Sequence, residues 1–250
     1  MAHHKTVLIT GGSRGIGAET ARVFAAQGYK VCFSYLSNQM AADAVVAEIN
    51  SQGGQCIAVQ ANVAQEADIV RLFQTVDEQL GALSVLVNNA AILQQQCRLV
   101  DMTVDRLRAV LETNVIGSFL CCREAVRRMS TDHGGQGGVI VNVSSGAAKS
   151  GSPNEYVDYA ASKGAIDTMT RGLALEVAAA GIRVNAVRPG MIYTEMHASG
   201  GEPGRVDRLK ERIPLQRGGR PEEIAQAIYW LASDQTSYMT GSFIDLTGGL

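Results

Sequence analysis

The stretch TVLITGGSRGIGAETARVF, residues 6–24, decides the architecture. It opens with a short apolar run, 7–10, that reads as a strand. From Ile16 to residue 27 the apolar residues recur at helical spacing. Between strand and helix lies a turn of Gly11, Gly12, Ser13, Arg14, Gly15, Ile16 and Gly17, in which the glycines at 11, 15 and 17 form the pattern G-x-x-x-G-x-G. Glycine permits the tight turn and lets backbone come close to a bound group, and the free N–H groups at a helix start favour an anion. A Gly-rich turn at the first strand of an α/β chain points to a dinucleotide pyrophosphate.

Working outward, further apolar runs occur at 31–35, 56–60, 85–88, 139–144, 184–187 and 243–246. They are near-continuous rather than alternating, as expected of strands covered on both faces of a parallel sheet. Amphipathic helical patterns fill the intervals at 41–51, 67–80, 106–129, 159–180 and 222–232. Strand and helix alternate from end to end. The expected fold is therefore α/β: a single doubly wound Rossmann domain over residues 1–250, with a mostly or wholly parallel sheet of about seven strands. No linker, repeat or low-complexity segment interrupts it, and the glycines at 134–138 read as a turn feeding a strand. Two segments fit the alternation poorly, a polar loop at 94–101 and a long loop at 193–214 broken by Gly200, Gly201, Pro203 and Gly204. The second follows a strand's carboxyl end and reads as an unanchored lid over the site.

The hydrophobic fraction of 46% and charged fraction of 18% suit a chain that buries a full core. A net charge of -2 without a basic stripe offers no phosphate footprint, which excludes a nucleic-acid partner. Cys32, Cys56, Cys97, Cys121 and Cys122 lack metal-ligand spacing and read as small hydrophobes in a reducing compartment. His3 and His4 read as terminal residues, and no metal site is expected. There is no basic-then-apolar leader and no apolar stretch of spanning length, so the expectation is a cytoplasmic protein with no membrane partner.

The second strand ends Ser34-Tyr35-Leu36-Ser37-Asn38, without the carboxylate that NAD sites usually place there, and Arg14 supplies a cation in the turn. Together they favour NADP(H), with NAD(H) use left open. In Tyr159-Ala160-Ala161-Ser162-Lys163 a phenol and an ammonium stand four residues apart, on one helix face. The lysine charge is expected to lower the phenol and make Tyr159 a candidate general acid or base for a carbonyl or alcohol oxygen. Ser144 and Ser145 end the strand before this helix, so a hydroxyl can enter the same crevice. Asn114 falls in the middle of the 106–129 helical pattern, where asparagine often disturbs the hydrogen-bond ladder.

Taken in order, the 10–17 turn, Asn88-Asn89-Ala90-Ala91, Asn114, Ser145, Tyr159 with Lys163, Pro189-Gly190 and the ending Gly241…Asp245…Gly248-Gly249 resemble the short-chain dehydrogenase/reductase family. The resemblance covers essentially the whole chain and is strongest to bacterial ketoacyl-carrier-protein reductases and glucose dehydrogenases. It implies hydride transfer between a nicotinamide and a small-molecule carbonyl or alcohol: a sugar, a small ketone or an oxoacyl thioester. By that resemblance Tyr159 exchanges the proton, Lys163 lowers its pKa and binds the ribose, Ser145 holds the substrate oxygen, and Asn114 supports a water linking Lys163 to solvent. The cofactor would meet Gly11, Ser13, Arg14, Gly15, Ile16, Gly17, Tyr35, Ser37, Asn38, Asn62, Val63, Asn89, Ala90, Tyr159, Lys163, Pro189, Gly190, Ile192 and Thr194. Family helices pair across two-fold axes, so outward Phe119, Leu120, Met169 and Leu173 imply a homotetramer, with a dimer as the fallback.

The chain departs from the family pattern in places. Asn62 stands where an Asp usually meets the adenine, Ala91 replaces a usual Gly, and the interval from Ser145 to Tyr159 is one residue longer than the commonest spacing. Ser144 is the alternative active serine. The pocket should be formed by 92–97, 147–156 and 191–208, where Asn154 and Glu155 are candidates to bind hydroxyls, Met191, Ile192 and Met196 would form an apolar wall with Gln94 nearby, and His197 reads as a rim residue. Two other functions share the scaffold. A non-catalytic NADP(H)-binding regulator would be expected to lose Tyr159 or Lys163, and sugar-nucleotide epimerases or dehydratases share the pair on usually longer chains.

Overall fold

Seven strands build one sheet: β1 (Thr6–Ile9), β2 (Lys30–Tyr35), β3 (Gln55–Gln60), β4 (Leu83–Asn88), β5 (Gly138–Val143), β6 (Ile182–Pro189) and β7 (Phe243–Leu246). They lie in the order β3-β2-β1-β4-β5-β6-β7, and every neighbouring pair is parallel. The computed structural model describes residues 5–250, so His3 and His4 lie outside the described residues. All seven apolar runs are strands, with ends displaced by up to two residues; the first is Thr6–Ile9 and the sixth extends over Ile182–Pro189.

The helices are α1 (Gly15–Ala26), α2 (Gln39–Ser51), α3 (Glu66–Gln79), α4 (Val104–Leu111), α5 (Gly117–Met129), α6 (Ala147–Ser150), α7 (Val157–Val177), α8 (Met196–Ser199), α9 (Arg205–Leu209) and α10 (Pro221–Ala232). Alternate strand residues point to opposite faces, so one strand feeds two cores. Val7 and Ile9 of β1 join a cluster with α1, α2 and α10, whereas Leu8 joins α3, α5 and α7 on the other face. Both faces of the sheet are thus covered, which is why its sequence runs are continuously apolar.

The 106–129 pattern is two helices joined by a π-turn over Glu112–Ile116. Asn114 sits in that turn, and its carbonyl oxygen accepts from Ser118 Oγ at 2.9 Å. The disturbance expected of a mid-helix asparagine therefore takes the form of one extra residue in the turn. The 193–214 segment also departs from expectation, since it contains α8, α9 and a 3-10 turn at Lys210–Arg212.

Cys32, Cys56, Cys121 and Cys122 are buried free thiols as expected, while Cys97 is half-buried. Of the apolar residues assigned to the outer surface, Phe119 is exposed. Met169 is in the core, and Leu120 and Leu173 pack against it. Val104 and Leu111 of α4, Ile116 of the π-turn and Leu175 of α7 are exposed apolar residues as well. Among the described residues no helix is long and apolar enough to cross a membrane.

Because the strands are parallel, the carboxyl ends of β1, β4, β5 and β6 meet at one edge, and the strand order reverses between β1 and β4. A crevice opens at such a switch point.

Candidate active site

The Gly-rich turn is built for close approach. Gly11 adopts φ +70°, and a β-carbon on Gly17 would lie 2.2 Å from the Gly11 carbonyl oxygen. Only glycine fits there. Ser34, which the sequence reading passed over, holds the turn from β2: its hydroxyl accepts from Gly11 N at 3.1 Å and its carbonyl from Gly12 N at 2.9 Å. On the other side Thr10 Oγ1 accepts from both Asn89 N and Ala90 N at 3.0 Å. Asn89 Nδ2 donates to the carbonyls of Thr10 and Gly11 at 3.0 and 2.9 Å. The two strand ends flanking the switch point are thereby stapled together.

Ser13, Arg14 and Gly15 open on a cleft of about 420 Å³ whose walls include Asn38, Tyr193 and Glu195. Ser37 and Asn38 are exposed, although Asn38 Oδ1 is committed to capping α2 through Ala41 N at 3.0 Å. Tyr35 belongs to the core cluster and is not among the residues lining that cleft. Asn62 forms a local turn, accepting from Ala64 N at 3.0 Å and donating its own N–H to Asp68 at 2.9 Å; Val63 beside it is buried. Pro189 and Gly190 are tied to their neighbours by Gly146 N to Pro189 O and Gly190 N to Leu246 O, both 2.9 Å. Ile192 bridges Gly219, and Thr194 closes over the turn, its Cγ2 3.3 Å from where a Gly15 β-carbon would stand.

On the catalytic side Ser144 and Ser145 separate cleanly. Ser144 Oγ donates to Asp167 at 2.7 Å. Ser145 Oγ accepts from Ala147 N at 3.1 Å, and it is near enough to the Tyr159 phenol to influence its titration. Ser145 is therefore the serine that α7 and the β5 end bring together with Tyr159, although its loop is one residue longer than usual. Burial pushes the phenol up to about 12, against the smaller lowering effect of Ser145. Burial, rather than the lysine charge expected from the sequence, thus sets the direction in the ligand-free protein. Lys163 is 3% exposed; its ammonium donates to Val143 O at 2.7 Å and stands 5.6 Å from the Tyr159 ring centre. Burial brings Lys163 down to about 8, opposed by the Asp167 carboxylate. Asn114 is 1% exposed, and its amide clamps Ile92 both ways: Oδ1 accepts from Ile92 N at 2.8 Å and Nδ2 donates to Ile92 O at 3.1 Å. Nδ2 also reaches Ser162 Oγ at 3.1 Å, so the π-turn, the pocket loop and the catalytic helix are fastened at one point.

The lid is anchored, contrary to its reading as a loose segment. Arg205, 5% exposed, pairs with Glu155 at 3.1 and 2.5 Å and with Glu202 at 3.0 Å, and its guanidinium lies 5.2 Å from the Tyr156 ring centre. Tyr156 Oη donates to Gly200 O at 3.1 Å. Glu155 is thus spent on the lid rather than left free for substrate hydroxyls, whereas Asn154 is exposed. His197 Nε2 lies 2.9 Å from Ile192 O, and burial lowers its pKa, which keeps the ring neutral at pH 7. Among the described residues no cluster of histidine, cysteine or carboxylate side chains could hold a metal.

A doubly wound sheet with a glycine cradle at its switch point, and a serine, a phenol and a lysine at the neighbouring strand end, defines a dinucleotide-binding α/β enzyme. A family profile described as enoyl-(acyl carrier protein) reductase matches residues 11–250. The chain is 61% identical over 242 residues to an uncharacterized oxidoreductase, YgfF, of Escherichia coli K12, covering 97% of this chain and 98% of that one. A short-chain dehydrogenase of Burkholderia cenocepacia J2315, solved in complex with NADP, superposes with a TM-score of 0.90 at 33% identity, covering 98% of this chain and 97% of that one. A 3-ketoacyl-(acyl-carrier-protein) reductase of Brucella melitensis complexed with NADH gives 0.91 at 31% identity, covering 100% and 99%. The chain belongs to the short-chain dehydrogenase/reductase family, a family of oxidoreductases.

Proposed function

We propose that this protein is an NADP(H)-dependent reductase that interconverts a carbonyl and an alcohol, with Tyr159 as its proton donor and acceptor. The observation that carries the reading is the Lys163 ammonium 5.6 Å from the Tyr159 ring centre, at the strand end where Ser145 is left free of the Asp167 bond that Ser144 makes. The cradle at Gly11 and Gly17, whose space a β-carbon would fill, fits the pyrophosphate of a dinucleotide. Ser13, Arg14, Gly15, Ile16, Ser37 and Asn38 would hold the phosphate end, with Asn62 and Val63 near the base. Asn89, Ala90, Lys163, Pro189, Gly190, Ile192 and Thr194 would surround the nicotinamide end. The nicotinamide supplies or takes the hydride.

Ser145 orients the substrate oxygen towards Tyr159. With its phenol pushed up to about 12, Tyr159 carries its proton at neutral pH and can donate it to a carbonyl oxygen. Lys163 keeps a positive charge behind the ring that stabilises the phenolate left after donation. Asn114 fixes the pocket loop through Ile92 and supports the route from Lys163 to solvent. The similarity to ketoacyl reductases places an oxoacyl thioester among the substrates to test, beside sugars and small ketones. The exposed apolar residues on α4, the π-turn and α7 support a homotetramer, and the cysteine usage supports a cytoplasmic setting.

The decisive experiment is a panel of ketones, sugars and oxoacyl thioesters scored for NADPH consumption, with the reverse reactions scored for NADP reduction, on wild type and Tyr159→Phe. Turnover in wild type that vanishes in the variant supports the reading; equal turnover in both sinks it.

A further inference from the structure

Ser144 lies next to the serine of the site, yet its hydroxyl turns the other way. It donates to Asp167 Oδ1 at 2.7 Å and lies 3.3 Å from the Lys163 carbonyl oxygen. Asp167 stands four residues after Lys163 on α7 and so on the same helix face, one turn further on. Its other oxygen accepts from Arg188 of β6, from Nε at 2.9 Å and from Nη2 at 2.8 Å. Arg188 is 8% exposed, and its guanidinium stacks 3.9 Å from the Phe243 ring centre in β7. It continues to Asp245 at 3.5 Å, which pairs with Lys149 of α6 at 2.5 Å. Arg171, one turn beyond Asp167, lies 4.9 Å from the same Phe243 ring. A buried guanidinium and a half-buried carboxylate, with a hydroxyl bridge to the helix that carries Lys163, cost free energy to assemble and need a reason beyond stability.

The geometry points to Asp167 as a positioning residue of the active site: bridged by Ser144 and restrained by Arg188, it keeps the buried Lys163 ammonium charged behind Tyr159. The inference rests on the reductase reading for its consequence in catalysis, but the charge state of Lys163 is readable without turnover. A lysine sealed from water loses its proton easily, and this one has been brought down to about 8 by burial, with Asp167 the opposing influence. The charged groups facing this pair are Tyr159 and Arg171 on α7, Arg188 on β6, Asp245 on β7 and Lys149 on α6. Arg188 moderates Asp167, because a carboxylate neutralised by a guanidinium acts less strongly on a neighbouring lysine.

This arrangement predicts two shifts of opposite sign. Asp167→Asn removes the negative charge, so Lys163 should deprotonate at lower pH than in wild type. Arg188→Gln releases the full charge of Asp167 and removes a nearby cation, so Lys163 should hold its proton to higher pH. A merely structural defect would not split the two variants in this way. The measurement is a pH titration of the ¹³Cε-lysine resonance of Lys163 in the ligand-free full chain, assigned with Lys163→Arg, alongside the alkaline limb of kcat/KM for the best substrate of the panel. Midpoints displaced by about half a pH unit or more, downward in Asp167→Asn and upward in Arg188→Gln, support the proposal. Midpoints that coincide with wild type overturn it, whatever the activity. If one single variant fails to fold, the other decides alone, and a midpoint that does not move in its stated direction overturns the proposal; if both fail, Ser144→Ala, which releases Asp167 from its bridge, must displace the midpoint, and an unmoved one overturns the proposal equally. Opposite shifts in a protein without turnover would uphold Asp167 and sink the reductase reading instead.

Discussion

Arg205 of the lid and Glu155 of the loop leading into the catalytic helix form a two-point pair, with contacts of 3.1 and 2.5 Å. Because Arg205 is almost fully buried, replacing it would leave two carboxylates, Glu155 and Glu202, without their shared cation. Arg205→Ala should therefore free the segment 193–212, at a cost of about 2 kcal/mol or more, which is roughly a thirtyfold rise in local opening. Hydrogen exchange should show faster exchange there with the central strands unchanged. Unaltered protection of the lid would mean that the pair does not hold it.

Acid should loosen the same latch. Arg208 holds the Glu202 carboxyl down at about 2, against an ordinary value of 4.5. A lowered carboxyl contributes stability that is complete above its unfolded value and is lost as pH falls through its folded one. Lid protection, corrected for the intrinsic pH dependence of exchange, should thus be flat above about pH 4.5 and decline from there towards pH 2. A profile without that decline would count against Glu202 as part of the latch.

Tyr159→Phe keeps the ring and removes only the hydroxyl. Turnover should drop by about 10²–10⁴-fold, the usual scale of general acid–base help, while NADPH affinity and melting temperature stay near wild type. Isothermal titration and a thermal melt, run beside the assay, would separate lost chemistry from a damaged site.

Arg14 is an exposed cation beside the cleft at the head of α1. A charge-assisted hydrogen bond to the 2′-phosphate contributes on the order of 1.5–3 kcal/mol, so Arg14→Ala should weaken NADPH roughly ten- to a hundredfold and leave NADH nearly untouched. Dissociation constants for both reduced cofactors, measured on both proteins, decide it; an equal loss for the two would place Arg14 elsewhere in the site. Tyr35→Asp, attractive from the sequence as a switch towards NAD, would instead set a carboxylate within the core cluster.

Phe119 of α5 and Leu175 of α7 are 51% and 83% exposed, and Leu111 of α4 and Ile116 of the π-turn are exposed too. Exposed apolar side chains of this size are what a subunit contact would cover. Light scattering at micromolar protein should give a tetramer, and F119D/L175D should give a smaller species with its circular dichroism intact. A wild-type monomer would refute the assembly.

Most of the fold is legible in the sequence, because a parallel sheet covered on both faces leaves continuous apolar runs that Val7, Val31, Val85 and Val139 each help to open. Helical spacing puts Tyr159 and Lys163 on one face, but only their company with Ser145 and Asn114 in the family pattern singles the pair out. What stays hidden depends on distance along the chain. Arg205 meets Glu155 across fifty residues, and Arg188 meets Asp167 across twenty-one; no local pattern announces either. Asp167 did carry a signal, a carboxylate four residues beyond a lysine already singled out. Ser144 and Ser145 cannot be ranked by composition, since only the direction of each hydroxyl separates them.

The π-turn at Glu112–Ile116 is an extra residue taken up inside a helical frame. Such a turn absorbs the insertion locally, so the helices on either side keep the phase of one continuous helix. Deleting one residue between 112 and 116 would therefore restore an unbroken α-helical ladder and leave Cys121, Cys122, Ala125 and Met129 facing the sheet. What it would remove is the bulge that carries the Asn114 amide onto Ile92 and Ser162. The fold would survive the loss and the site would not, so this residue belongs to the chemistry rather than to the scaffold.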